Sequence, residues 1–366
     1  MLTYWYMYLM PFLAAISPWK LQRTAKLFFL GLFGVTVALI IGLRHEIGND
    51  WFHYLDYYKS FVYGGNIAEM KIAQTGVKVG YIPGLEPGYS FINLVSSQMN
   101  FGIYGVNLFC GIIFIYGLIF FCKSQPYPWI SLGIAMPFLG TVFAMGATRQ
   151  AAALGLFFIA IVSLINGSRI KYIVLICIAM TFHRSAVILM PFCLTGGGHI
   201  KKRQLLLIVV LILIAIWSVS EKLLFYLQYF VMEKEHVEKL LYAYGGRARV
   251  WLNVLPVLLY LLLSKNKLLF KEQGGGFWKY LSIATIISIP SVEFFSAATD
   301  RVNIYFAVIQ IMFWPRIISM QHSKFNKAFV AFGIFVLYSM VLFVWFNFGR
   351  HRGVYIPYQN IMLLGM

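Results

Sequence analysis

The sequence predicts an all-α polytopic membrane protein with about twelve transmembrane helices. Three observations lead to this fold class: 60% of the residues are hydrophobic, only 11% are charged, and the apolar residues gather in repeated long runs. A hydrocarbon core about 30 Å thick needs roughly 20 residues of helix to cross it. Backbone groups inside a bilayer must be satisfied within the segment or against other protein, so we expect these runs to be helices.

The apolar segments leave no soluble region of independent size, so we expect a single integral membrane domain over residues 1–366. The predicted spans are 2–17, 27–43, 104–122, 129–147, 150–166, 170–182, 185–198, 204–219, 250–263, 277–295, 302–319 and 328–346. Residues 88–100 are apolar enough to dip into the membrane. We expect a re-entrant or interfacial helix there, because a full crossing would invert every later loop.

The formal net charge of +18 suggests nucleic-acid binding in a soluble protein, but here the positive-inside rule explains much of it. On the predicted topology, sixteen of the thirty Lys and Arg residues lie in short cytoplasmic loops. Eight of the twelve arginines lie outside instead: Arg44, Arg149, Arg184, Arg247, Arg249, Arg301, Arg350 and Arg352. The guanidinium fork fits phosphate or carboxylate, so this excess favours an anionic partner and not nucleic acid.

Two outer loops are long, about 44–103 and 220–249. The first begins with an aromatic stripe at helical spacing, which predicts an interfacial helix with its aromatic side in the headgroups. The stripe is Trp51, Phe52, Leu55, Tyr58 and Phe61, and a second stripe holds Asp50, His53 and Tyr57. The second loop predicts an amphipathic helix that stops at Gly245-Gly246, directly before Arg247 and Arg249.

No metal site or cofactor is expected. The sequence contains no HExxH, DxD or CxxC pattern. All four cysteines lie in apolar segments, where we expect them to pack as small hydrophobic residues: Cys110, Cys122, Cys177 and Cys193.

Several polar groups converge on the outer face through the predicted topology, at helix ends and not at mid-bilayer. Charge at the edge of a membrane segment is costly unless it is paired or faces water, so function is the first interpretation. The groups are Arg44 to Asp56, Glu86, Arg149-Gln150, His183-Arg184, Arg247 with Arg249, and Glu293 with Asp300-Arg301. A transporter would carry such charges near mid-bilayer and show repeat symmetry.

Each of these residues also has a structural interpretation. Arg149 could be a snorkelling interfacial arginine. Arg247 and Arg249 could neutralise the glutamates that precede them, and Asp300 could pair with its neighbour Arg301. Two further alternatives concern the candidate bases: His183 could be a hydrogen-bonded interfacial histidine, and Glu86 could be a helix N-terminal acid before Pro87.

Short motifs in this order resemble the EpsG/Wzy-type polysaccharide polymerases, which include bacterial O-antigen and capsule repeat-unit polymerases. The resemblance covers nearly the whole chain, although each motif is short. The motifs are Arg44, Gly48, Asp50, Tyr54 and Tyr58; Glu86, Gly88 and Tyr89; Arg149-Gln150; Phe182-His183 with Ser185-Ala186; Asp300-Arg301 with Tyr305; and Tyr355, Pro357 and Tyr358.

The resemblance implies a metal-independent membrane glycosyltransferase of GT-C-like architecture in the bacterial inner (cytoplasmic) membrane, with its active site facing the periplasm. It would transfer a growing glycan from undecaprenyl diphosphate onto the next undecaprenyl-diphosphate-linked oligosaccharide. The expected partners are this donor and acceptor, membrane lipids and a chain-length regulator. We expect Arg149, Arg247, Arg249, Asp300 and Arg301 to bind diphosphate and glycan, with Arg44 in support.

The acceptor hydroxyl needs a base within hydrogen-bond reach. We rank Asp50 first, His183 second and Glu86 third. The alternatives in function are a ligase that passes finished glycan to another acceptor, a flippase for the lipid-linked oligosaccharide and, third, a membrane acyltransferase. A polymerase makes ladders from lipid-linked repeats alone, whereas a flippase moves them without joining them.

Overall fold

The computed structural model describes residues 1–17, 22–62, 86–196, 245–263, 274–294 and 296–364. Within these ranges the chain is helical and contains no β-strand. The N-terminal part contains α1 (Leu2–Ile16), α2 (Arg23–Gly42), α3 (Trp51–Val62), α4 (Pro87–Gln98), α5 (Gly102–Cys122), α6 (Pro128–Gly146), α7 (Thr148–Ile165) and α8 (Arg169–Phe182). A 3₁₀ segment, Arg184–Thr195, follows α8.

The C-terminal part contains α9 (Gly246–Leu263), α10 (Gly275–Phe294), α11 (Ser296–Met320), α12 (Lys324–Phe348) and the short α13 (Ile361–Leu364). A single 3₁₀ turn, Arg352–Val354, lies between α12 and α13. Two helices are irregular: α6 contains a π-helical stretch at Met136–Phe143, and α11 is interrupted at Ala307.

Seven of the described helices are long and apolar enough to cross a membrane: α2, α5, α6, α7, α9, α11 and α12. Large apolar side chains on their outer faces are exposed, among them Phe28 and Leu32 on α2 and Phe329 and Phe332 on α12. Such exposed apolar faces fit a lipid environment. The chain is therefore a polytopic α-helical membrane protein.

Most predicted spans match a described helix within a few residues, and three need correction. Span 185–198 is a 3₁₀ segment and not an α-helix. Span 302–319 begins earlier, at Ser296, because the polar turn around Asp300 is already helical. Span 250–263 begins at Gly246, which places Arg247 and Arg249 inside the first turn of α9. Span 204–219 and residues 220–244 of the second outer loop lie outside the described residues.

The described residues of the predicted first outer loop, 44–62 and 86–103, contain two short helices, and both are amphipathic segments rather than spans. Helix α4 covers most of the doubtful 88–100 segment, and its twelve residues extend about 18 Å, too short to cross a core about 30 Å thick. In α3, Trp51 is buried under the helix bundle and Phe52 is exposed. The prediction of a common aromatic stripe is therefore wrong at Trp51, because its ring packs over the buried Arg44 guanidinium.

The centre of the bundle is the contact between α5 and α7. Gly117 and Gly155 lie where the two backbones meet, and a Cβ on Gly155 would be 2.6 Å from the Phe114 Cα atom. Small residues let membrane helices approach this closely, so that backbone packs on backbone. The pair holds the start of α7 in a fixed position, and the polar residues of the bundle collect around that position.

A series of polar contacts sets the position of α9 against α11. The Asn253 side chain donates to the Asn303 backbone oxygen and to its Oδ1 atom, both at 2.9 Å, and accepts from Gln310 Nε2. Gln310 in turn accepts from the Tyr338 hydroxyl on α12 at 2.5 Å. These buried hydrogen bonds lie one turn below Arg249 and Asp300, so they align the two helices that carry this pair.

Candidate active site at the start of helix α7

The first turn of α7 points three consecutive side chains in three directions, as residues about 100° apart on a helix must. Thr148 Oγ1 accepts a hydrogen bond of 2.7 Å from Arg44 Nη2. Arg149 Nη1 donates to Glu86 Oε2 at 2.8 Å. Gln150 points toward the C-terminal part of the chain. One turn of helix thus joins the region between α2 and α5 to the segments that follow α8.

Gln150 contacts a hydrogen-bonded group around Ser185. Its Nε2 atom donates to the Arg301 backbone oxygen and approaches Ser185 Oγ at 3.4 Å. Ser185 Oγ also lies 2.5 Å from His183 Nδ1 and 3.1 Å from the Tyr305 hydroxyl. The motif residues after α8 and in α11 therefore meet at the start of α7.

Ser185 is the hydrogen-bond partner of the His183 ring. His183 precedes the 3₁₀ segment, and its Nδ1 atom accepts from the Ser185 backbone N–H at 3.3 Å. His183 is therefore hydrogen-bonded through Nδ1, which is the structural interpretation that the sequence also offered for it.

Three tyrosine rings surround the Arg149 guanidinium. Its Cζ atom lies 5.7 Å from the Tyr54 ring centroid, 5.3 Å from that of Tyr57 and 5.7 Å from that of Tyr89. These distances allow cation–π attraction. Arg149 is about one-quarter exposed, so it has the position expected of an interfacial arginine but is held by specific partners and not simply extended to water.

Glu86 lies at a helix N-terminus, which is the structural interpretation that the sequence offered for it beside the role of base. It is the residue before α4, with Pro87 at the first helical position, and its carboxylate is paired with Arg149. A carboxylate at a helix N-terminus is stabilised by the helix dipole, and an ion pair stabilises it further.

Asp50 contrasts with Glu86. It is half-buried at the start of α3, and its carboxylate makes no hydrogen bond or ion pair with any residue that the structure describes. Burial raises the pKa of the Asp50 carboxyl above its ordinary value, and the nearby His53, Arg149, Arg301 and His351 lower it in part. The structure thus brings a half-buried, unpaired acid close to two arginines from distant helices.

The arginines of the C-terminal part have acidic partners that are not their sequence neighbours. Arg247 pairs with Glu293 at an exposed position. Arg249 Nε lies 2.5 Å from Asp300 Oδ1, and this pair is about one-fifth exposed. Asp300 therefore pairs with Arg249 and not with its sequence neighbour Arg301.

Arg301 is exposed and its guanidinium has no hydrogen bond or ion pair within the described ranges. The glutamates expected to neutralise Arg247 and Arg249 lie outside the described residues: Glu233, Glu235 and Glu238.

Arg44 is fully buried, so its side chain is not accessible from the surface as those of Arg247 and Arg301 are. Its guanidinium donates to the Ile41 and Ile47 backbone oxygens, to Asn107 Oδ1 at 3.2 Å and to Thr148. A substrate could reach Arg44 only by displacing these acceptors. Its expected support of diphosphate binding is therefore indirect at most.

The C-terminal tyrosine motif packs against α2, α6 and the loop that follows α2. The Tyr355 hydroxyl donates to the Val142 backbone oxygen in α6 at 2.9 Å, and the Tyr358 hydroxyl donates to the Ile40 backbone oxygen in α2 at 2.8 Å. The Gly48 N–H donates to the Val354 backbone oxygen at 3.1 Å. This packing places His351 near Asp50, a neighbour that we did not expect from the sequence. The basic run Arg350-His351-Arg352 just before the motif was the available signal.

Comparisons with known proteins agree with this organisation. No curated protein and no solved structure matches the chain. One family model, described as the EpsG family, matches residues 26–360, which include every motif residue that meets at the start of α7. The chain therefore belongs to the EpsG family, which is associated with polysaccharide polymerase activity.

Proposed function

We propose that this protein polymerises lipid-linked oligosaccharide repeat units of an O-antigen or related surface polysaccharide. In this proposal the growing glycan leaves undecaprenyl diphosphate and joins the next undecaprenyl-diphosphate-linked repeat, on the periplasmic side of the inner membrane. Family membership supports polysaccharide polymerase chemistry, and the arrangement of charges at the start of α7 supports transfer from a phosphate leaving group.

The observation that carries the proposal is the unpaired Asp50 carboxylate close to Arg149 and Arg301. A general base must be free to accept a proton, and its pKa works best when raised toward the operating pH. Asp50 meets both requirements, whereas Glu86 is paired with Arg149 and the Nδ1 atom of His183 is hydrogen-bonded to Ser185. Asp50 is therefore our choice of base.

The chemical step follows from these roles. The acceptor hydroxyl attacks the anomeric carbon of the donor glycan while Asp50 takes the hydroxyl proton. The bond between that carbon and the diphosphate oxygen breaks, and its electron pair leaves with the diphosphate. Cations preorganised around the growing negative charge stabilise this transition state. Arg301, which has no acidic partner within the described ranges, is the arginine best placed to bind the diphosphate.

The ion-paired arginines have a different part in the proposal. Arg149 and Arg249 keep between one-fifth and one-quarter of their side chains exposed beside Glu86 and Asp300. In this proposal they are hydrogen-bond donors to the diphosphate that Glu86 and Asp300 hold in place. Arg247, exposed and paired with Glu293, would contact the diphosphate at the rim.

The test is a polymerisation assay with purified protein in lipid vesicles. Lipid-linked repeats are the single substrate, and gel electrophoresis measures the glycan ladder. We expect ladders from the unaltered protein, a loss of about 100-fold or more from Asp50→Asn, and a comparable loss from Arg301→Gln. Asp56→Asn, the same change two turns along α3, is the matched control and should keep its ladder.

Other outcomes would replace the proposal. Glycan transfer only after a second acceptor is added would indicate a ligase. Movement of the repeats across the vesicle membrane without joining would indicate a flippase. A full ladder from Asp50→Asn would remove Asp50 from the mechanism and leave His183 and Glu86 to be tested as bases.

A further inference from the structure

Arg44 is the most deeply buried charge near the site, and nothing in the chemical step above uses it. It is fully buried, and no carboxylate of the described chain lies within ion-pair distance of its guanidinium. A buried charge without a counter-ion is costly unless hydrogen bonds compensate it. The structure therefore has to explain why an arginine and not an apolar residue occupies position 44.

The hydrogen bonds of Arg44 go to four different segments. Nη1 donates to the Ile41 backbone oxygen at the end of α2, and Nε donates to the Ile47 backbone oxygen at 3.2 Å. Nη2 donates to Asn107 on α5 at 3.2 Å and to Thr148 on α7 at 2.7 Å. The carbonyl dipoles at the end of α2 favour a cation here.

Two of these acceptors are next to the residues of the chemical step. Ile47 is three residues before Asp50, and the Trp51 ring, directly after Asp50, lies 5.7 Å from the Arg44 Cζ atom. Thr148 directly precedes Arg149. One rigid guanidinium thus connects the loop that carries the proposed base to the helix turn that carries Arg149.

The Arg44 backbone is held from the opposite side. Arg44 pairs with Asn360, the His45 N–H donates to the Gln359 backbone oxygen at 3.0 Å, and the Ile361 N–H donates to the Leu43 backbone oxygen at 2.9 Å. The residue that connects the two parts of the site is therefore itself fixed, as a positioning role requires.

We propose that Arg44 is a positioning residue that fixes the distance between Asp50 and Arg149 through Ile47 and Thr148. This inference rests on the proposed function and deepens it. Only arginine has a planar fork of five N–H donors that can reach acceptors in four directions; lysine carries its donors on one nitrogen. The positioning depends on the shape of the group as well as on its charge.

The first test measures position without activity. In a background with the native cysteines replaced, spin labels at Phe52 on α3 and Trp251 on α9, both exposed, report the distance from the Asp50 loop to the C-terminal part. We expect Arg44→Lys to broaden this distance distribution. Labels at Tyr116 and Trp251, also exposed, form the reference pair, whose distribution should not change.

The second test uses the polymerisation assay. We expect Arg44→Lys to lower kcat by about 10- to 100-fold, the effect of misplacing a reacting group by about 1 Å, with little change in KM. The acid limb of the pH–rate profile should move to lower pH, because a loosened loop exposes Asp50 to water. A general loss of folded protein would lower the rate without moving the limb.

Thr148 supplies the coupled control. Thr148→Ser keeps the hydroxyl and should keep the rate, whereas Thr148→Val removes it and should reproduce the Arg44→Lys defect. The double variant should be no slower than Arg44→Lys alone, since both changes break the same contact. Thr148→Val also carries the test if Arg44→Lys fails to insert.

Unchanged label distances together with an unmoved pH limb in Arg44→Lys would overturn the proposal. So would additive losses in the double variant. If the unaltered protein makes no ladder, the proposed function fails, and the label distances still decide whether Arg44 holds the loop.

Discussion

Asp50 and Glu86 show how far the surroundings of one carboxylate differ from those of another at the same end of the bundle. Glu86 is paired with Arg149, whereas Asp50 has cations nearby but no ion-pair partner within the described residues. An ion pair holds a carboxylate in its charged form, while burial without one disfavours that form. This contrast leads to two predictions at the scale of single residues.

The first prediction concerns pH. If Asp50 must be ionised to act as base, the rate falls as pH falls through its raised pKa, so the acid limb should lie at higher pH than an ordinary aspartate would give. Stability has the opposite dependence: a carboxyl whose pKa is raised on folding stabilises the fold at low pH, and this contribution is lost as pH rises through the folded pKa.

Asp50→Asn separates the two effects. This variant should be inactive but unfold at a higher temperature than the unaltered protein near neutral pH, and the gain should disappear in acid. Thermal unfolding in detergent at several pH values measures it. A lower unfolding temperature for Asp50→Asn at neutral pH would contradict the raised pKa.

The second residue prediction concerns Gly48, whose backbone φ of 105° strains any side chain. A Cβ atom there would overlap the Met145 backbone oxygen and lie 3.1 Å from the Gly146 Cα atom. We expect Gly48→Ala to cost about 1–3 kcal/mol from strain alone and to displace Asp50. Gly353→Ala, where a Cβ meets nothing within 4 Å, should be neutral in the same unfolding measurement.

At the scale of elements, the close contact of α5 and α7 positions the site. Gly155→Ala would push a methyl group into the Phe114 Cα atom and the Ile113 backbone oxygen, which cannot move aside as a side chain can. We expect a loss of about 1–3 kcal/mol or more in unfolding experiments. Gly31→Ala on α2 has open space and should be neutral or slightly stabilising. Equal effects of the two changes would refute this packing.

The contact between α9 and α11 is a second element-scale feature. Asn253→Ala would leave buried groups of Gln310 and Asn303 without partners, at a cost of about 1–3 kcal/mol. Because the Arg249–Asp300 pair lies one turn away, polymerisation should weaken as well. Asn347→Ala, an exposed asparagine on α12, is the control. Full stability and rate in Asn253→Ala would show that this network does not set the helix positions.

At the scale of the whole molecule, the polar residues of the site share one end of the bundle. Asn49 and Arg247 are exposed at that end, while Lys123 and Asn166 are exposed at the opposite ends of α5 and α7. We expect a membrane-impermeant thiol reagent applied outside the inner membrane to label Asn49→Cys and Arg247→Cys but not Lys123→Cys or Asn166→Cys. Labelling of Asn49→Cys and Arg247→Cys from opposite sides would exclude a common site for these residues.

The sequence by itself determined the class of protein and most of the helices. Apolar runs of near-membrane length can only be helices in a bilayer, so the spans α2, α5, α6 and α7 follow from local composition. The irregular segments could not be predicted so well. The 3₁₀ form of Arg184–Thr195 and the early start of α11 depend on packing against neighbouring segments. The periodicity of apolar residues in the local sequence does not contain that information.

The tertiary structure alone decided which ionic groups meet. From the sequence, Asp300 could pair with Arg301, but in the fold Asp300 pairs with Arg249 and leaves Arg301 exposed. Arg44 was expected to support diphosphate binding, and the fold buries its guanidinium fully among acceptors from four segments. The physical reason is that a side chain binds the acceptors that helix packing brings within about 3 Å, and those acceptors come from segments far apart in the chain.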